Sequence, residues 1–213
     1  DHYGPQGWWP LLQRSGWAGY SAEGYHPGIY ELELEPAERF EIVTGAILTQ
    51  NTSWVNVRSS LAKLLEAAGR RTTGFGPEFI LELAPEELAE LIRSSGYFNQ
   101  KTKKLRYAAE FLLSGDTGSA GGTGAIGSVA PGRAPDRSEL LSIWGIGPET
   151  ADSILLYAYE HPICVVDAYS MRIFKRLSGE KREAKWSYDQ VQNRFHQELP
   201  ASSTVYNEFH GLL

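Results

Sequence analysis

The sequence predicts an all-α protein, and three observations carry the prediction. Apolar residues recur at helical spacing in segment after segment, first at Phe40, Val43, Ile47 and Leu48. Proline and glycine stand where helices would begin and stop, as in Ala84-Pro85-Glu86-Glu87 and at Gly69 and Gly96. No segment alternates as a strand does, and the one strand-like stretch is the short apolar run 163–166.

Residues 1–35 are dense in Trp, Tyr, Gly and Pro and read as an irregular wrap over a folded body. A helix begins at Ala37, and a second amphipathic helix covers 54–68. A short helix spans 77–83; the next opens at Pro85, with acids beside the positive end of its dipole, and runs to Ser94. Another covers Lys101 to Leu113. Residues 114–137 form a Gly/Ser/Ala linker with nothing to bury, expected to be a flexible insertion. After it come helices at 138–143, 149–160, 168–177, 187–198 and 204–212.

At 213 residues the chain can bury a sizeable core. It has no apolar run near the roughly 20 residues of a membrane span and no signal-like start, so a cytoplasmic location is expected, nucleoid-associated if the source is bacterial. The first residue is Asp, which fits a processed or trimmed gene product. The single cysteine, Cys164, excludes an internal disulfide. None of the five histidines has a second His or Cys at zinc-ligand spacing.

The formal charge of −6 argues mildly against a polyanionic partner, but the charges segregate. Residues 78–90 hold five glutamates and no base. Lys101, Lys103, Lys104 and Arg106 stand together without an acid, and Arg172, Lys175, Arg176, Lys181, Arg182 and Lys185 outnumber the neighbouring glutamates. Local basic faces of this kind suit a nucleic-acid backbone.

Chemistry concentrates in 140–167. In Trp144-Gly145-Ile146-Gly147-Pro148 the glycines allow positive φ and close approach, and Pro148 enters a helix where its missing N–H is harmless. The helix start is either a phosphate seat or an ordinary tight turn. Asp167 follows four apolar residues and is either the N-cap of helix 168–177 or a reactive carboxylate, two roles that are compatible.

Taken together these motifs resemble the endonuclease III-like branch of the helix–hairpin–helix DNA glycosylases. The resemblance runs from about Phe40 to Leu212 through Leu-Thr-Gln-Asn-Thr at 48–52, Gly96-Tyr97-Phe98-Asn99-Gln100-Lys101, the 145–152 hairpin and Val165-Val166-Asp167. It implies two lobes, a helical barrel lobe at 37–161 and a second lobe of 1–36 with 162–213, with damaged double-stranded DNA in the cleft between them and the protein acting as a monomer. It also implies base flipping followed by hydrolysis of the N-glycosidic bond. Asp167 matches the family's catalytic acid, which would stabilise the oxocarbenium-like sugar and activate water.

Where bifunctional relatives carry the Schiff-base lysine, just before Thr150-Ala151, this chain has Glu149. The resemblance therefore implies a monofunctional enzyme without AP lyase activity. The alternatives are a bifunctional glycosylase and lyase acting on oxidised pyrimidines, and a non-catalytic DNA-binding module. By the same matches Tyr97 is a wedge residue, Lys101 lies on the DNA-facing loop, and Gln50 fills the gap opposite the orphaned base. Gly145, Ile146, Gly147 and Thr150 form the backbone grip, and the carbonyls of Ile143 and Ile146 could hold a monovalent cation. Trp8-Trp9-Pro10, Phe40 and Trp54 look most like the 3-methyladenine DNA glycosylase III-type subgroup, whose electron-rich pocket would suit a cationic alkylated purine. Trp8 and Trp9 either line that pocket or cement the wrap. Many relatives hold an iron–sulfur cluster after the last helix; this chain has no cysteines there, and no cluster is expected in it.

Overall fold

A computed structural model describes residues 2–114, 133–179 and 185–213. It contains ten α-helices among these residues: α1 (Pro36–Leu48), α2 (Trp54–Ala68), α3 (Pro77–Glu82), α4 (Pro85–Leu91), α5 (Phe98–Ser114), α6 (Arg137–Ser142), α7 (Pro148–Tyr159), α8 (Ala168–Leu177), α9 (Tyr188–Glu198) and α10 (Ser203–Leu212). They form two facing helical clusters. Most of the expected 114–137 linker, and Lys181 and Arg182 of the second basic group, lie outside the described residues.

The central helices α1 and α7 pack on each other, with α2 and α5 against α1 and α6 and α10 against α7. Both central helices are apolar nearly all round, as buried helices must be: Ile42, Val43, Ile47 and Leu48 in α1 and Ile154, Leu155, Leu156 and Ala158 in α7 are almost fully enclosed. Helix α5 starts at Phe98, three residues earlier than its sequence pattern suggests, because Tyr97 turns the chain directly after Gly96.

The N-terminal residues do wrap the body, with one 3₁₀ turn at Leu12–Arg14. Two buried acids of α1 hold the wrap down. Glu41 accepts bonds from the backbone N–H groups of Leu12 and Gln13 and from the Gln13 amide. Arg14 clasps Glu38 through Nε and Nη2, at 2.5 and 2.6 Å. Burial pushes the Glu38 carboxyl up, but Arg14 and the Glu35 N–H outweigh it and hold the group below its ordinary value.

The strand-like run 163–166 is not a strand. It forms no regular element and is buried, and its backbone bonds to side chains of α9 and not to a sheet neighbour. The Cys164 N–H donates to His196 Nε2 at 2.9 Å, the Val166 N–H donates to the Tyr188 hydroxyl at 3.3 Å, and the Gln192 amide donates to the Cys164 carbonyl at 2.6 Å. This segment delivers Asp167. Tyr188 and Gln192 in turn donate to Asp152 Oδ2, each at 2.7 Å, and Arg137 closes the network on Asp152 with bonds of 2.6 and 3.1 Å. A fully buried carboxylate on α7 thus ties α6, α9 and the approach to Asp167 together. No helix among the described residues is long and apolar enough to cross a membrane.

Candidate active site

A cavity of about 760 Å³ lies between the N-terminal wrap, the α1–α2 turn, the 145–150 hairpin and the C-terminal helices, a size suited to a small organic ligand. Asp167 is on its wall and is a quarter exposed. The residue caps α8: its Oδ1 accepts from the Ser170 N–H at 2.7 Å and from the Ser170 hydroxyl at 2.6 Å. The N-cap reading of Asp167 is thus met: the cap fixes Oδ1, and Oδ2 has no hydrogen bond among the described residues, on a side chain that lines the cavity. His210, from α10, places Nε2 4.0 Å from that oxygen.

Three indoles make the apolar wall. Trp8, Trp9 and Trp54 stand with ring centroids 5.2 to 5.5 Å apart, and all three border the cavity. Trp9 is also almost fully buried against Tyr157. Lining and cementing are thus combined in one aromatic cluster.

The hairpin forms the opposite lip. Gly145 is required there: its φ is +85° and a Cβ would sit 2.6 Å from the Lys104 side chain. Gly147 is extended at φ −97° with open space where a Cβ would go, so only the first glycine is forced by geometry. Gly147 caps α7 without a side-chain bond, leaving first-turn N–H groups at Glu149 and Thr150 for an external acceptor. Glu149 opens to solvent inside the cavity; the crowding walls, and then Asp167's charge, push its carboxyl above the ordinary range. The Ile143 carbonyl accepts the Ile146 N–H at 3.1 Å, which closes the turn and leaves it a second lone pair.

A second depression of about 380 Å³ adjoins the first and shares Gln50, Asn51 and Gly145 with it. Tyr97 stands at its edge, 71% exposed, in left-handed backbone at φ +47°. A bulky residue rarely adopts that conformation, which here throws the ring outward.

Several expectations need correction. Phe40 is not at the cavity; it is buried in the core against Phe75, because its helix turns that face inward. Lys101 does not face outward. It is 2% exposed, and its ammonium donates to the carbonyls of Leu48 at 2.8 Å and Ser95 at 2.6 Å, pinning the end of α1 to the turn before α5. The supposed basic face of α5 is dispersed, since a helix turns about 100° per residue. Arg106 caps the carbonyls of Ile80 and Leu83, Lys104 donates to Gln50 Oε1, and Lys103 alone of the four is exposed. Gln50 borders both depressions, but its amide is taken up by Lys104, the Gly145 carbonyl and the Thr150 hydroxyl. Thr150 is itself buried, so its side chain serves Gln50, and only its backbone is left for the grip.

Burial and then the charge of Lys104 push the Lys101 pKa down to about 8 from 10.5. Between these values the folded state binds fewer protons than the unfolded state, so this group makes stability rise with pH across that window. Urea unfolding of the wild-type protein and of Lys101→Met from pH 7.5 to 10.5 checks this. The wild type is expected to gain about 1–3 kcal/mol on the variant as pH rises; a constant difference would refute the assignment.

Sequence reasoning missed His210, Tyr157 and Tyr188 as neighbours of the site. His210 is far from Asp167 in the chain, and no local pattern joins them. Nor do the residues present fit an iron–sulfur cluster. Cys164 is the one thiol in the chain, fully buried, and pushed up to about 12 by burial and Asp152. Among the described residues no three His, Cys, Asp or Glu side chains converge as a metal site.

A model of the HhH-GPD superfamily of base excision DNA repair proteins matches residues 44–201, from α1 through the hairpin and Asp167 to the end of α9. The chain belongs to this superfamily. Across all 213 residues it is 37% identical to a Methanocaldococcus jannaschii protein named "Putative DNA repair glycosylase MJ1434", 80% of which it spans. The fold superposes at a TM-score of 0.63 on the crystal structure of H. pylori 3-methyladenine DNA glycosylase (MagIII) bound to 1,N6-ethenoadenine, at 29% identity over 84% of this chain and 86% of that one. A non-covalent endonuclease III–DNA complex aligns equally well, at a TM-score of 0.63 over 84% of this chain and 74% of that one; at 22% identity it shows the shared fold. This HhH-GPD protein is a DNA glycosylase acting on damaged bases.

Proposed function

We propose that this HhH-GPD protein is a monofunctional glycosylase that binds damaged duplex DNA and releases an alkylated purine such as 3-methyladenine, leaving an abasic site. The observation that carries this reading is Asp167: a carboxylate fixed on one side by Ser170, open on the other to a cavity walled by three indoles. A flipped purine would stack against Trp8 and Trp54, whose faces favour a cationic base. As the C1′–N bond breaks, the base takes the electron pair and the sugar becomes positive. Asp167, facing that cavity, stabilises the charge as it develops.

The remaining roles follow from position. The free N–H groups of α7 and the Gly145–Gly147 backbone would hold a phosphate. A monovalent cation bound by the carbonyls of Ile143 and Ile146 would add positive charge to that grip. Tyr97 would enter the base stack as a wedge. Residues 37–161 would form one lobe and 1–36 with 162–213 the other, with the duplex in the cleft between them.

Glu149 stands where a Schiff-base amine would be needed and cannot form one. Two amines, Lys101 and Lys104, border the neighbouring depression; the first is engaged with the carbonyls of Leu48 and Ser95 and the second with Gln50. The test is to incubate the protein with methylated duplex and with oxidised duplex, identify released bases by mass, and add borohydride. Methylated purines should be released and no covalent adduct trapped. Release of oxidised pyrimidines alone would refute the substrate class, and a trapped adduct would refute monofunctionality and direct attention to Lys104.

A further inference from the structure

His210 lines the cavity, and its Nε2 lies 4.0 Å from the free oxygen of Asp167. The Tyr157 hydroxyl lies 2.5 Å from His210 Nδ1 and has no other hydrogen-bond partner among the described residues. Donation from the phenol to Nδ1 satisfies both groups in one bond, whereas acceptance from Nδ1–H would require a separate acceptor for the O–H. With Tyr157 as donor, the neutral ring carries its proton on Nε2, on the side facing Asp167.

Tyr157 from α7 and Asp167 at the start of α8 stand against the two ring nitrogens of His210. Burial lowers the imidazole pKa and the Asp167 charge only partly restores it, so the ring is neutral near pH 7.

The 4.0 Å between Nε2 and Oδ2 is too long for a direct hydrogen bond. It suits one water. An oxygen about 2.8 Å from both atoms would subtend them at an angle of about 90°. We infer that His210 is a second catalytic residue: its Nε2–H and Asp167 Oδ2 together seat the water that attacks C1′ of the sugar. The inference rests on the reading of Asp167 given above.

In this seat the water accepts from His210, donates one hydrogen to Asp167, and keeps a lone pair for C1′. The C1′–N bond breaks with its electrons going to the base, and the C1′–O bond forms from the water lone pair. The hydrogen held by Asp167 passes to Oδ2 as a proton, then to solvent. His210 gains and loses no proton, so it orients the nucleophile and leaves the carboxylate as the base. Tyr157 is a positioning residue, acting through the tautomer it enforces.

The experiment uses duplex methylated with dimethyl sulfate, single-turnover release of base, and binding measured separately. His210→Leu is expected to slow release about 10²-fold, with affinity for the duplex changed less than about threefold. His210→Gln, which keeps an N–H donor, is expected to recover much of that loss. Long-range ¹H–¹⁵N correlation on the wild-type protein is expected to report the Nε2–H tautomer, and Tyr157→Phe to mix the two tautomers and slow release severalfold.

Release by His210→Leu at the wild-type rate, Gln no better than Leu, or an Nδ1–H tautomer in the wild type would each overturn the seat. The tautomer measurement decides the matter even if the Leu variant does not fold. Asp167→Asn, run in parallel, separates the two claims. If it is inactive while His210→Leu is active, the seat alone fails; if it is active, the reading of Asp167 fails and the seat with it.

Discussion

Asp167→Asn is expected to keep damaged duplex bound and to lower base release by about 10³-fold or more. The substitution isolates charge from structure. Asn caps a helix about as well as Asp, so its carbonyl can still accept the two Ser170 bonds that fix Oδ1. The group that replaces Oδ2 is an NH₂. It turns a positive dipole end toward the cavity at the point where the sugar becomes cationic, and it cannot take a proton from water. Both defects act only once the bond begins to break, so binding is spared while the chemical step is lost. Single-turnover release and fluorescence anisotropy on the same duplex separate the two quantities. Release within about tenfold of wild type would remove Asp167 from the mechanism.

Asp152→Ala is expected to destabilise the fold by about 3–5 kcal/mol, the usual cost of removing one partner from a buried ion pair. The fully buried Asp152 carboxylate serves Arg137, Tyr188 and Gln192 at once. Its loss leaves the buried Gln192 amide, the half-buried Tyr188 hydroxyl and a guanidinium one-third exposed without their shared acceptor, with only Asp189, 3.6 Å away, left to the guanidinium. The urea midpoint, read at unchanged slope, measures the effect; a loss under about 1 kcal/mol would contradict the role assigned to the network. A second consequence follows from connectivity. Tyr188 and Gln192 also hold the backbone of the 163–166 segment, so surviving folded protein should release base more slowly, as Asp167 loses its fixed approach.

The two predictions concern residues of different visibility. Asp167 was marked in the sequence by the hairpin before it and the apolar run leading to it. Asp152 carried no mark beyond its place in a helix, because a buried acid and a solvated one look alike until their partners are known. The same gap explains Lys101 and Phe40. Each points inward once packing sets the phase of its helix, Phe40 against Phe75 and Lys101 onto the carbonyls of Leu48 and Ser95.

By itself the sequence determined the helical architecture, through its three-and-four periodicity and its Pro and Gly punctuation. It also put a carboxylate, Glu149, and not an amine, before Thr150-Ala151 at the hairpin. Those are local properties, carried by neighbours along the chain. Only the tertiary structure decided which way side chains face and which distant groups meet. It sent Lys101 to two carbonyls and bound Gln50 to the hairpin. It set residues 163–166 against side chains instead of a sheet. It also brought His210 of α10 to Asp167. Close packing selects one arrangement of helix faces from many compatible with the same periodicity, and contacts between residues far apart in the chain exist only after that selection is made.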